Sequence, residues 1–250
     1  MGFGLMAVVG AMVLMVLQGM MEDVPEPGED VIREDDTVVG SDDDDVIMGN
    51  GGAELLLPDD GNDLVRGGRG NDTISDLRWD EDAVMTDAGA VNPNWSSDTL
   101  FGGAGDDVIT ATGGQDDVNG GPGDDRINTI DLHPDQPFAP DRLFGAAGDD
   151  WLVGDDGDTM IGGEGTDFFS NLVDEPEDQP VMIRDWQRGE QVELLLYHPS
   201  LIPADGSAPV AELRDSDEGA VLSVNGHDAA VFSDALARDL NGHVRVVSRV

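Results

Sequence analysis

GGAGDDVIT, Gly102 to Thr110, is the stretch that decides how this chain is read. Glycine stands first, second and fourth, aspartate sixth, and a branched apolar residue eighth. Glycine tolerates positive φ and a close approach of backbone, so six residues of this kind can close a tight turn whose carbonyls point inward. The aspartate then adds a carboxylate to that ring of oxygens. The last three residues can extend as a short strand with the eighth side chain on one face.

Stepping outward from Gly102 in nines finds the same unit again and again. GSDDDDVIM starts at Gly40, GNGGAELLL at Gly49, PDDGNDLVR at Pro58 and GGRGNDTIS at Gly67. After an interruption over 76–92 come PNWSSDTLF from Pro93, GGAGDDVIT, ATGGQDDVN from Ala111 and GGPGDDRIN from Gly120. A second interruption, over 129–135, precedes QPFAPDRLF from Gln136, GAAGDDWLV from Gly145, the shortened GDDGDTMI from Gly154 and GGEGTDFFS from Gly162. The sixth position holds Asp45, Glu54, Asp63, Asp72, Asp98, Asp107, Asp116, Asp125, Asp141, Asp150, Asp158 and Asp167. The eighth holds Ile47, Leu56, Val65, Ile74, Leu100, Ile109, Val118, Ile127, Leu143, Leu152, Ile161 and Phe169.

Two nines make one coil, and stacked coils give two parallel sheets with the eighth-position residues between them. Stacking also brings sixth-position carboxylates together, where two like charges ~4 Å apart repel by about 4 kcal/mol at an effective dielectric near 20. A divalent ion between neighbouring turns removes that repulsion and uses the inward carbonyls, which suits the six to eight oxygen ligands of calcium. The composition agrees. Asp and Glu number 54 against 12 basic residues, every one of them arginine, for a net charge of -42. Such self-repulsion reads as disorder unless a cation compensates, and it excludes nucleic acid as a partner. Cysteine is absent, which removes disulfides, thiolate catalysis and thiolate zinc sites.

These units resemble the GGxGxDxUx nonapeptides of the RTX, or hemolysin-type calcium-binding, family over Gly40 to Ser170. The match is fullest at Gly67–Ser75, Gly102–Thr110, Gly120–Asn128 and Gly162–Ser170, where all three glycines and the aspartate are present. The resemblance implies an all-β fold, a calcium-loaded parallel β-roll that forms outside the cell after unfolded type I secretion from Gram-negative bacteria. It carries over as metal ligands Asp45, Asp63, Asp72, Asp98, Asp107, Asp116, Asp125, Asp141, Asp150, Asp158 and Asp167. Backbone at Gly68, Gly70, Gly103, Gly105, Gly121, Gly123, Gly163 and Gly165 would complete the turns. Asp98 and Asp141 stand in PNWSSD and QPFAPD, which lack the turn glycines, and Glu54 replaces the aspartate. The cofactor expected is several calcium ions, with affinities near ~10⁻⁴ to 10⁻³ M.

Four regions follow. Residues 1–21 contain an apolar run, Phe3 to Met21, long enough for a transmembrane or signal-anchor helix, with a cleavable signal peptide as the rival. Residues 22–39 read as an acidic linker, 40–170 as the roll, and 171–250 as a C-terminal β cap of antiparallel strands, with Asn225-Gly226 as a hairpin turn. Within the cap, IRDWQRGEQVELL resembles the element that follows the repeats in the family. The interruptions read either as a partner-binding patch or as degenerate coils; LRWDEDAVM keeps Asp82 and Val84 in frame and favours the second for 76–92.

No HExxH, GxSxG, P-loop or EF-hand pattern occurs, and His133, His198, His227 and His243 lie far apart. The expected function is therefore binding rather than catalysis. The first reading is a structural or adhesive roll, anchored or secreted, on the extracytoplasmic side, with a protein partner at the membrane or cell surface. The alternatives are an accessory subunit of a membrane complex, or a secreted enzyme with an unrecognised carboxylate site in the C-terminal module.

Overall fold

The computed structural model describes residues 30–31, 37–76, 84–86, 89–91, 96–131, 139–173, 179–197, 201, 203 and 207–248. The apolar run over 1–21 and most of the linker lie outside these, as do Asp82 and His133. No helix among the described residues is long and apolar enough to cross a membrane.

Each nine-residue unit contributes a strand, and successive units alternate between two sheets. The first sheet runs Asp30–Val31, Val46–Met48, Leu64–Arg69, Thr99–Ala104, Asp117–Pro122, Arg142–Ala147, Thr159–Glu164 and Val181–Arg184, all parallel. It ends in the strands His227–Phe232, Gly219–Val224 and Ala211–Ser216. The second runs Thr37–Val39, Leu55–Leu57, Thr73–Ser75, Val108–Thr110, Arg126–Asn128, Trp151–Gly154, Phe168–Val173, Gln191–Leu196 and Val244–Ser248, parallel throughout.

The core is the single file of eighth-position residues from each sheet. Ile47, Leu56, Val65, Ile74, Leu100, Ile109, Val118, Ile127, Leu143, Leu152, Met160 and Phe169 are buried and pack as one cluster. Each such side chain contributes roughly 1.5 to 3 kcal/mol on leaving water. In the shortened unit it is Met160, not Ile161, that pairs with Leu143 and points inward, while Ile161 faces half outward. The missing residue precedes Asp158, so the eighth place falls two residues after it.

The interruptions leave the frame intact. Neighbouring coils are offset by 18 residues in an undisturbed pair, by 35 across the first interruption, by 25 across the second and by 17 across the shortened unit. The first interruption is not a degenerate coil, because Val84–Thr86 pairs antiparallel with Gly89–Val91 in a small sheet of its own. A local hairpin satisfies its own backbone groups, so it needs no place in the stack.

Beyond Ser170 the antiparallel reading needs correction. Val181–Arg184, Gln191–Leu196 and Val244–Ser248 extend the two parallel sheets. Among the described residues, antiparallel pairing is confined there to Ala211–Ser216, Gly219–Val224 and His227–Phe232. The turn between the last two is Asn225-Gly226, both at positive φ, as its sequence requires. Apolar runs of β-branched residues do not distinguish parallel from antiparallel pairing, and a growing stack offers a parallel edge for each new strand.

Candidate functional site

Every sixth-position acid lies at the start of a strand, just inside the edge of the roll, and every one of them is buried. Because units alternate between sheets, the acids form two ladders on opposite edges. One is Glu54, Asp72, Asp107, Asp125, Asp150 and Asp167; the other is Asp45, Asp63, Asp98, Asp116, Asp141 and Asp158. Along each ladder the backbone N–H of one acid donates to Oδ1 of the acid in the next coil, at 2.7 to 3.0 Å. Parallel pairing separates successive coils by ~4.8 Å, so the carboxylates of a ladder stand about one strand spacing apart.

Those bonds use one oxygen of every ladder carboxylate except Asp45 and Glu54, which stand at the ladder ends. The second, Oδ2, is buried without a hydrogen-bond partner in Asp63, Asp72, Asp98, Asp107, Asp116, Asp125, Asp141, Asp150 and Asp167. Three acids differ. Asp45 Oδ2 accepts from Ser41 N–H and Oγ, Glu54 accepts from Asn50 and Gly52 N–H, and Asp158 Oδ2 accepts from Asp155 N–H and Thr129 Oγ1. Asp98 and Asp141, in turns without the usual glycines, nevertheless present the same unpartnered oxygen as the regular sites.

The turns on the two edges are unlike. All five fully described GGxG-type or GAAG turns, 67–72, 102–107, 120–125, 145–150 and 162–167, serve the Glu54 ladder, called here the regular edge. Gly68, Gly70, Gly103, Gly105, Gly121, Gly123, Gly163 and Gly165 all have positive φ. At Gly105, with φ of 138°, a Cβ would overlap the carbonyl oxygen of Gly70 in the preceding coil. The first glycine of the unit has a different purpose that spacing alone did not reveal. A Cβ on Gly67, Gly102, Gly120, Gly145 or Gly162 would meet Oδ2 of Asp72, Asp107, Asp125, Asp150 or Asp167, so these glycines make room for the unpartnered oxygen.

The opposite, irregular edge collects PDDGND, PNWSSD, ATGGQD, QPFAPD and GDDGD, both interruptions and the deletion. It also holds buried acids outside the nine-residue frame. Asp76 accepts from Thr112 N–H and Oγ1, and Asp155 Oδ2 accepts from Asp131 N–H. Their signal in the sequence was an aspartate directly after a strand, in TISD and in the doubled GDD. At the C-terminal end Asp185 accepts from Gly162 and Gly163 N–H, and Glu190, 2% exposed, accepts from Gln187 N–H.

Burial sets the electrostatics. On the regular edge it pushes Asp150 up to about 6 and Asp125 to about 7, and also raises Asp107 and Asp167. On the irregular edge burial takes Asp63 to about 8 and Asp116 to about 9, with neighbouring carboxylates adding to the rise. Asp141 and Asp158 are both raised, again chiefly by burial. Among the described residues, the ion pairs from arginine go to Asp117, Asp239, Asp228 and Glu193, none of them in a ladder. A buried, unpaired carboxylate oxygen is among the most costly groups a fold can contain. Nine of them in two rows, with no cationic side chain paired to them among the described residues and, at Gly67, Gly102 and Gly145 of the regular edge, a carbonyl of the next coil close by, form a donor set of hard oxygens suited to a divalent ion. No three acidic or histidine side chains among the described residues are preassembled as a cage, so backbone has to supply much of any coordination shell.

Comparison with known proteins agrees with this chemistry. The RTX calcium-binding nonapeptide repeat matches in four copies, over residues 33–65, 57–75, 94–127 and 139–169. No curated protein matches. Among solved structures, the extracellular lipase LipA of Serratia marcescens is similar at 16% identity and a TM-score of 0.24, covering 90% of this chain. The chain spans 41% of that lipase's length, and a likeness at this score carries no argument about activity. The matched segments coincide with the units that build both ladders, so those units are RTX calcium-binding nonapeptide repeats.

Proposed function

We propose that this chain is a calcium-binding β-roll of the extracytoplasmic space, with a structural or adhesive role, whose folding is coupled to ion binding. The observation that carries the reading is the set of nine buried carboxylate oxygens without partners. Asp63, Asp72, Asp98, Asp107, Asp116, Asp125, Asp141, Asp150 and Asp167 are the proposed ligands, helped by backbone carbonyls of the glycine turns. Asp45, Glu54 and Asp158 are internal staples, because protein groups already engage the oxygens that the others leave open. Calcium, when bound, supplies positive charge and coordination that neutralise adjacent carboxylates.

The chain itself does the rest. Strand pairing sets the ladder spacing, Oδ1 is held by the neighbouring coil, and the first glycine of each regular turn leaves space for Oδ2. Because these positions exist only in stacked coils, an ion that binds only the folded state stabilises it by mass action. In a low-calcium cytosol the chain stays unfolded; outside, it folds. The apolar run over 1–21 is proposed as a tether that holds the roll at a membrane.

The test is a count of bound ions on the purified full-length protein by equilibrium dialysis and elemental analysis. Several calcium ions per chain, retained against excess magnesium, is the expected result; fewer than two ions at millimolar free calcium would contradict the reading.

A further inference from the structure

Asparagine followed by glycine is the dipeptide in which a side-chain amide is most open to attack by the next backbone nitrogen, because glycine puts no side chain in the way. The chain has four, Asn50-Gly51, Asn119-Gly120, Asn225-Gly226 and Asn241-Gly242. The fold treats them differently. Asn119 lies inside the strand Asp117–Pro122, registered with Phe101 on one side and Phe144 on the other, and Gly120 is buried. Asn225 is exposed, but both ends of its amide are tied: Oδ1 accepts from Val210 N–H at 3.0 Å and Nδ2 donates to the Leu201 carbonyl at 2.6 Å. Asn241 has an extended ψ of 118°, which keeps Cβ and the Gly242 nitrogen out of the eclipsed arrangement that an imide ring needs.

Asn50 is arranged the other way. It is exposed, as are Gly51 and Gly52, in the turn between the strands Val46–Met48 and Leu55–Leu57. Its side chain folds back over the backbone that follows: Gly51 N–H donates to Asn50 Oδ1, and Gly52 N–H donates to the same oxygen at 3.1 Å. Glu54 holds the turn in this shape, accepting from Asn50 N–H at 3.3 Å and from Gly52 N–H at 3.1 Å. The nitrogen that attacks is therefore already against the amide, a near-attack arrangement. Gly52 N–H stands where negative charge develops on Oδ1 as a tetrahedral centre forms, which is the role of an oxyanion donor. A Cβ on Gly51 would meet nothing within 4 Å, so the turn has room for that centre. At Gly120 and Gly121 a Cβ would instead overlap Asp125 Oδ2 and the Gly103 carbonyl.

We propose that Asn50 is a site of spontaneous deamidation in the folded protein, while the fold spares the other three asparagines. The Gly51 nitrogen bonds to Asn50 Cγ, and Nδ2 leaves as ammonia with the proton from Gly51 N–H. Water then opens the imide at either carbonyl, giving aspartate or isoaspartate. Each product adds one negative charge to the turn that wraps Glu54. Isoaspartate also routes the backbone through Cγ, so the turn gains a methylene. The Asn50 carbonyl, which accepts from Arg69 N–H at 3.0 Å, then becomes part of a free carboxylate. The proposal is independent of the calcium reading, since it requires only the folded turn.

Peptide mapping by mass spectrometry tests this on the full-length folded protein, held for weeks near neutral pH in calcium beside a sample unfolded in urea. In urea the four dipeptides should react at similar rates. In the folded protein Asn50 should convert at least about tenfold faster than Asn119, Asn225 and Asn241, with isoaspartate the major product. Gly51→Ala, which crowds the attacking nitrogen, should slow the reaction at Asn50 by about tenfold or more. Asn50 left intact in the folded protein over the time in which the urea sample reacts would overturn the proposal, and so would all four reacting alike in the folded protein. Conversion of Asn50 to aspartate alone, unchanged by Gly51→Ala, would mean direct hydrolysis and overturn it as well.

Discussion

The two edges of the roll carry the same ladder on different turns. On the regular edge five glycine-rich turns stack on one another, and the N–H of Gly70, Gly105, Gly123 and Gly148 each reaches a carbonyl of the next coil at 2.7 to 2.9 Å. On the irregular edge the turns share no motif, yet the hydrogen bonds from backbone N–H to Oδ1 survive offsets of 35, 25 and 17 residues. The ladder is therefore fixed by strand pairing and by the apolar file behind it. Glycine turns are an addition that brings backbone close enough to share in binding. An edge freed from that demand accommodates insertions, and there Asp76, Asp131 and Asp155 accumulate.

The comparison breaks most visibly at Gly105. Its φ of 138° and the nearby Gly70 carbonyl exclude a side chain. Gly105→Val should cost more than the ~1 to 2 kcal/mol of a left-handed residue alone, and raise the calcium midpoint of folding by at least about tenfold. The corresponding change at the irregular edge, Ala139→Val, should leave the midpoint nearly unmoved. Circular dichroism across a calcium series reads both.

Partnered and unpartnered carboxylates come next in size. Asp107→Asn removes a charge from an oxygen that has no protein partner and should reduce bound calcium by about one ion, with a several-fold higher midpoint. Asp45→Asn keeps an acceptor for Ser41 and should stay within ~0.5 kcal/mol of wild type. Elemental analysis of dialysed protein separates the two outcomes.

Acid should substitute for calcium at both edges. Burial raises Asp150 and Asp125 to about 6 and 7, and Asp63 and Asp116 to about 8 and 9, above the ordinary 3.8. The folded chain then binds more protons than the unfolded one. In chelator, stability is fully present below about pH 4 and is lost as pH rises from there through roughly 6 to 9, with Asp98 on the irregular edge, at about 6, ionising as early as Asp150 on the regular one. Far-UV circular dichroism in chelator over that range should show β structure at the acid end; a signal that grows with pH would refute the assignment.

The smallest effect is at Ala146, which has φ of 88° in the second place of GAAGDD. Ala146→Gly should relieve about 1 kcal/mol and lower the calcium midpoint a few-fold, as thermal unfolding in fixed calcium would register.

The frame was legible because two independent positions, the aspartate and the branched residue, recur together even where the glycines are lost. That is why Asp98 and Asp141 could be placed despite PNWSSD and QPFAPD. The division into edges was legible too, since the full motif appears in every second unit, but counting units in one series conceals the alternation. Other features depend on contacts rather than spacing. The purpose of Gly102 is set by where Asp107 Oδ2 lies, and Asp131 reaches Gly113, 18 residues back, only because the coils stack. Strand direction after Ser170 was likewise a matter of which edge each apolar run would find.

The most direct test of the central claim, that the buried ladders need a cation, is far-UV circular dichroism of the full-length protein near neutral pH during calcium titration, with magnesium in parallel. The account predicts a cooperative coil-to-β transition at sub-millimolar to millimolar calcium that magnesium, reluctant to shed its waters, does not produce. A roll already complete in chelator at that pH would contradict it.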